Sequence, residues 1–143
     1  MRTFAVVHAV GDWDHFGTQN AQNMYGYNSQ NGKWKLMIWD MNIVLGNSGS
    51  WGPGAEMFTV QGADANMPKL YSVPAFRRMY LRALKELCNY AMVNANVDPL
   101  MDAKYAAYLA NGITPTTPGA AVKGWIASAR SSILSTVAAE DAA

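Results

Sequence analysis

The sequence predicts an α+β protein in which a small β-hairpin and loop-rich N-terminal half packs on about three C-terminal helices. Three observations lead there. Residues 11–69 are rich in Gly, Asn, Trp, Tyr and Met and lack a helical period. Within them an Asn31-Gly32 pair separates two aromatic-rich runs, a strong hairpin signal. From Tyr71 onward, apolar residues recur at the spacing of one helix face. At 143 residues the chain is expected to form one domain, 1–143, with a loop and hairpin region at 11–69 and a helical region at 71–140.

Each element has its own justification. Residues 24–27 and 33–39 form the hairpin arms around a turn at 28–32. On the second arm Trp34, Leu36 and Ile38 share one face, and Lys33, Lys35, Met37 and Trp39 the other. The alternation weakens toward Trp39, as expected of a strand entering a covered core. The Gly-rich stretch 46–54 reads as a long loop, with Trp51 as the tryptophan best placed for exposure. Ser72-Val73-Pro74 opens a first helix with Phe76, Tyr80, Ala83, Leu84, Leu87 and Ala91 inward. Asp98-Pro99 opens a second, with Met101, Tyr105, Tyr108 and Leu109 inward, and Asn111-Gly112 closes it. Thr117-Pro118 opens a third, along which Val122, Ile126, Ala129, Ile133 and Val137 align; residues 138–143 are expected to fray.

Composition excludes several classes. A net charge of +1 lacks the positive excess of a phosphate-tracking protein, so no nucleic-acid partner is expected. A lone cysteine, Cys88, permits neither an internal disulfide framework nor a multi-cysteine zinc site, and its helical position suits a small core residue. No apolar run approaches the roughly 20 residues that cross a bilayer. The first ten residues carry one Arg and a short apolar stretch that Gly11-Asp12-Trp13-Asp14 interrupts, so no signal peptide is expected, and the compartment stays unassigned.

Candidate chemistry lies with the acids of the loop-rich half. Asp12, Asp14 and Asp40 sit there, two of them directly after tryptophans, with Asn20, Asn23 and Asn42 nearby. Carboxylate and amide oxygens suit Mg²⁺ or Ca²⁺ rather than softer metals. On spacing alone, turn and strand capping by these Asx side chains is the simpler reading. His15, beside Asp14, can tune proton transfer near neutral pH, although a hydrogen-bonded histidine is the commoner case.

The series His8 to His15, Asn23-Met24-Tyr25-Gly26-Tyr27, Gly32-Lys33-Trp34-Lys35-Leu36 and Trp39-Asp40-Met41-Asn42 resembles the core of the CotH (spore coat protein H) kinase-like family, atypical relatives of protein kinases. Phe76-Arg77-Arg78-Met79-Tyr80, and Lys123-Gly124-Trp125-Ile126 with Arg130, resemble the helices that follow. The resemblance implies a kinase-like C-lobe, with Asp14 (alternatively Asp12) orienting the substrate hydroxyl, Asp40 as main metal ligand and Asn23 and Asn42 as further ligands. It implies Mg²⁺ or Ca²⁺ as cation and ATP as phosphoryl donor, with a small-molecule or protein acceptor. Asn42 stands where many relatives carry a second acid. Lys33 and Lys35 are candidate phosphate contacts. Relatives often act at cell surfaces or spore coats.

This sequence has no G-x-G-x-x-G loop and no V-A-I-K-type lysine. It is expected to resemble the C-terminal lobe alone, of reduced phosphoryl-transfer capacity, with either a homo-oligomer or an N-terminal lobe as partner. Two other functions fit the same residues: a metal-assisted or serine-dependent hydrolase of an ester, lactone or phosphoester, using Ser48 or Ser50, and a non-catalytic binding module.

Overall fold

The computed structural model describes residues 1–18, 20, 22–47, 49–58 and 65–142. Among them lie α1 (Arg2–Ala9), β1 (Met24–Asn28), β2 (Trp34–Ile38), α2 (Met67–Ser72), α3 (Pro74–Asn89), α4 (Asn94–Ala110) and α5 (Gly119–Asp141), an α+β arrangement with one two-stranded antiparallel sheet. None of these helices is long and apolar enough to cross a membrane.

The buried cluster sits where α1 and α5 meet α3. Helix α5 supplies Val122, Ile126, Ala129, Ile133 and Val137, the stripe its 3.6-residue period predicts. Helix α3 contributes Tyr80, Leu81, Ala83, Leu84 and Cys88, and α1 contributes Phe4, Ala5 and Ala9. Cys88 is a core residue, its thiol pushed up to about 11 by burial against the opposing pull of Arg130. The expectations for Phe76 and Ala91 fail: both are exposed, Ala91 because α3 has ended at Asn89.

Helix α1 is an element the sequence reading leaves unassigned, since eight residues give barely two turns of periodicity. Helix α4 begins at Asn94, a turn before the expected Asp98-Pro99 start, with Pro99 at its sixth position. Its buried residue is Val97; Met101 and Tyr105 are half-buried, whereas Tyr108 and Leu109 are exposed. Helix α5 extends to Asp141, into the tail expected to fray. Arg77 closes a bidentate pair on Glu140 at 2.6 and 2.7 Å, and Lys85 reaches Asp141 at 2.9 Å.

The hairpin pairs Met24 with Ile38 through Asn28 with Trp34, so its turn is at 29–33. It does not enter a covered core. Trp34 is 72% exposed and Trp39 61%, while Trp51, expected to be the exposed one, is half-buried with its ring 6.4 Å from that of His8. A two-stranded ribbon has two faces and too little neighbouring mass to cover both, so period-2 alternation here does not mark burial.

Candidate functional site

The site begins where α1 stops. Gly11 turns the chain at φ +74°, and a Cβ there would lie 2.7 Å from the Trp125 ring and 2.8 Å from the Trp51 carbonyl, so only glycine fits. The next residue, Asp12, is fully buried. One of its carboxylate oxygens accepts the Asp14 N–H at 2.8 Å, and the other lies 2.8 Å from Nδ1 of the equally buried His15. A buried carboxylate is tolerable only with such partners. Thr18 completes the loop: its hydroxyl oxygen accepts the His15 N–H at 2.8 Å and lies 2.6 Å from the Trp13 carbonyl. Asp12 and His15 thus build the loop, and the carboxylate left facing outward is that of Asp14.

Asp14 is half-buried and accepts hydrogen bonds on both oxygens, from the side-chain amides of Asn20 and, at 2.7 Å, Asn23. Two donors aimed at it fix the carboxylate's orientation. With Nδ2 of Asn23 turned to Asp14, its carbonyl oxygen is on the other side of the amide.

The hairpin carries this cluster to Asp40. The Trp39 N–H donates to the Asn23 carbonyl at 2.9 Å, one step beyond the Met24–Ile38 pair, so Asn23 and Asp40 both flank the open end of the ribbon. The following loop is tied back to α1 by Leu45 N–H to the Val10 carbonyl (2.8 Å) and Trp51 N–H to that of Gly11 (2.7 Å). Among the described residues the non-glycine positions with positive φ are Asn23 (48°), Asp40 (53°) and Leu45 (55°). All three are in this segment; Asn and Asp adopt left-handed backbone readily, whereas Leu45 is held there with its N–H on the Val10 carbonyl.

Not every candidate joins the cluster. Asp40 is solvent-exposed, as is Asn42, whose backbone carbonyl accepts from the Asn47 side chain at 2.7 Å. Lys33 and Lys35 lie toward the turn end of the ribbon, roughly 17 Å or more along the strand from Asp40. Ser50 accepts the Gly46 N–H at 3.0 Å, an internal loop tie, and Ser48 is outside the described residues. Thr18 is the residue sequence reading missed; a lone threonine in a polar loop carries no signal until the fold brings the His15 amide to it.

The donor set fits a hard cation. Among the described residues no three His, Cys, Asp or Glu side chains converge on a point, so an all-protein cage is absent from them. Mg²⁺, however, commonly takes one or two carboxylates and completes its shell with water and substrate phosphates. An exposed Asp40, one residue beyond the Trp39 N–H that bonds the Asn23 backbone carbonyl, is compatible with that mode.

A family model described as CotH kinase protein matches residues 1–119 of the 143-residue chain, and the protein belongs to that family. No curated protein and no solved structure matches it significantly.

Proposed function

We propose that the protein is a phosphoryl-transfer lobe of the CotH kinase type, transferring the γ-phosphoryl of ATP to a hydroxyl with a divalent cation. The observation that carries this reading is the hydrogen-bonded run Asp14–Asn23–Trp39, ending beside Asp40 at the base of one hairpin. It supplies, in chain order, the three groups a kinase needs: an acid for the hydroxyl, an amide and a second acid for the cation.

In this reading Asp14 accepts the hydroxyl proton as the substrate oxygen bonds to phosphorus and the bond to ADP breaks. Asn20 and Asn23 keep its carboxylate in place, and the Asp12 bond to the Asp14 N–H holds the backbone beneath it. Asp40 and the Asn23 oxygen would hold the cation, which when bound neutralises phosphate charge. Such transfer depends on positioning and electrostatics rather than on covalent participation of the protein, so small displacements of these groups are costly.

The test is transfer from radiolabelled ATP, in the presence of Mg²⁺, to the protein itself and to a panel of hydroxyl acceptors. Wild type is expected to transfer label, and Asp14→Asn to reduce the rate at least about a hundredfold, the scale of general-base loss. Transfer unaffected by Asp14→Asn, or no transfer to any acceptor, overturns the reading.

A further inference from the structure

The cations of α3 are distributed unequally. Arg77 is neutralised by Glu140, and Glu86, the one acid of α3, is turned 3.2 Å toward Arg2 of α1. Arg78 and Arg82, four residues apart on the same helix face, form no ion pair among the described residues, and Lys85 follows three residues later. Like charges at this spacing repel and weaken a helix. Glu86 stands four residues after Arg82 on that same face, but its carboxylate is turned to Arg2.

Arg78 and Arg82 line a groove of about 630 Å³ between α3 and the C-terminal end of α5. Its floor is apolar, built from Ala75, Met79, Leu81 and Val137, with Met79 57% exposed. Asp141 also lines it, but is 2.9 Å from Lys85 and cancels that charge alone. The groove therefore keeps two guanidinium groups in excess beside an apolar trough. Neither Asp14 nor Asp40 lines it.

The geometry points to this groove as a docking site for an acidic, amphipathic helical segment of a partner protein. Carboxylates on one face of the segment pair with Arg78 and Arg82, each guanidinium offering a planar fork to a carboxylate. Apolar side chains beside them cover Met79 and Ala75, the helix-in-groove mode. Charge complementarity selects the acidic partner, and concavity favours a peptide over a flat lipid surface. The inference does not depend on phosphoryl transfer.

The experiment is fluorescence anisotropy with a labelled synthetic amphipathic helix bearing glutamates on one face and leucines beside them. Its counterpart with glutamine for glutamate, and phosphatidylserine vesicles, serve as comparisons. The acidic peptide is expected to bind, and to bind about tenfold more weakly to Arg78→Glu/Arg82→Glu, roughly the scale of two lost rim ion pairs. The milder Arg78→Gln/Arg82→Gln pair is expected to fall between, and Met79→Ser to weaken binding while leaving its salt dependence unchanged. All variants are on the exposed face of α3, and a retained circular-dichroism melt verifies their folding. Equal binding to wild type and both arginine pairs, no peptide binding, preference for the glutamine peptide, or binding of vesicles in place of peptide each overturns the assignment.

Discussion

At the residue scale, the buried Asp12–His15 pair has more influence than its distance from solvent suggests. Asp12→Ala removes the acceptor of the Asp14 N–H and leaves the His15 imidazole without its partner. A loss of about 2 kcal/mol is expected, the scale of leaving a buried polar group unpaired, with urea denaturation as the measurement. A loss below about 1 kcal/mol means the pair does not stabilise the loop. The His8 imidazole differs: burial pushes it down to about 4, with Glu56 pulling weakly upward. Above pH 6.5 the folded and unfolded chains both hold His8 neutral, and this group adds no pH dependence. Between 6.5 and about 4 only the unfolded chain takes up the proton, so stability falls with pH by up to ~3 kcal/mol and then levels off. A series of urea midpoints across that window checks it, and His8→Gln is expected to flatten the slope; an unchanged slope assigns the effect elsewhere. The resemblance to the CotH kinase-like family is what groups Asp14, Asn23 and Asp40; their spacing alone reads as turn and strand capping. Sequence reading did not foresee that Asp12 points inward, since adjacent aspartates look alike until the backbone turn at Gly11 separates them.

At the scale of elements, legibility followed how many turns or rungs each element offers. Helix α5 buries the five residues its period selects, because 23 residues leave no ambiguity of face. Helix α4 is long but packs through Val97 at one end and the Tyr105 ring against Gly119 near the other, so its apolar residues do not all find a neighbour. Proline inside its second turn misled the reading of its start, since a missing N–H near a helix N-terminus deprives few carbonyls. Helix α5 continues to Asp141, into the tail expected to fray, for a tertiary reason: Arg77 both grips Glu140 and stacks 3.6 Å over the Phe58 ring. Arg77→Ala is accordingly expected to destabilise by about 1 kcal/mol and to speed amide exchange at residues 137–141. Unchanged exchange there would mean that α5 holds its own end. The hairpin faces of Trp34 and Trp39 show the converse error, an alternation produced without a core to bury it.

On the scale of the whole molecule, the family match ends at residue 119, where α5 begins, yet α5 closes the core against α3. Removing residues 119–143 takes five core residues and the Arg130 contacts of Cys88 out of the molecule, and such a truncation is expected to lose its cooperative melt. A chain of 1–118 that still melts sharply would show α5 to be an accessory. Cys88 reports the same event chemically, since a buried thiol pushed up to about 11 reacts slowly at neutral pH until the core opens.

The phosphoryl-transfer reading rests on Asp40 holding a cation beside Asn23, and calorimetric titration of the metal-stripped protein with Mg²⁺, with and without ATP, tests that most directly. The expected result is Mg²⁺ binding that strengthens with ATP and disappears in Asp40→Ala while the variant melts as wild type does. Mg²⁺ binding identical in wild type and Asp40→Ala, or none in either, contradicts it and leaves Asp40 a strand-terminating turn residue.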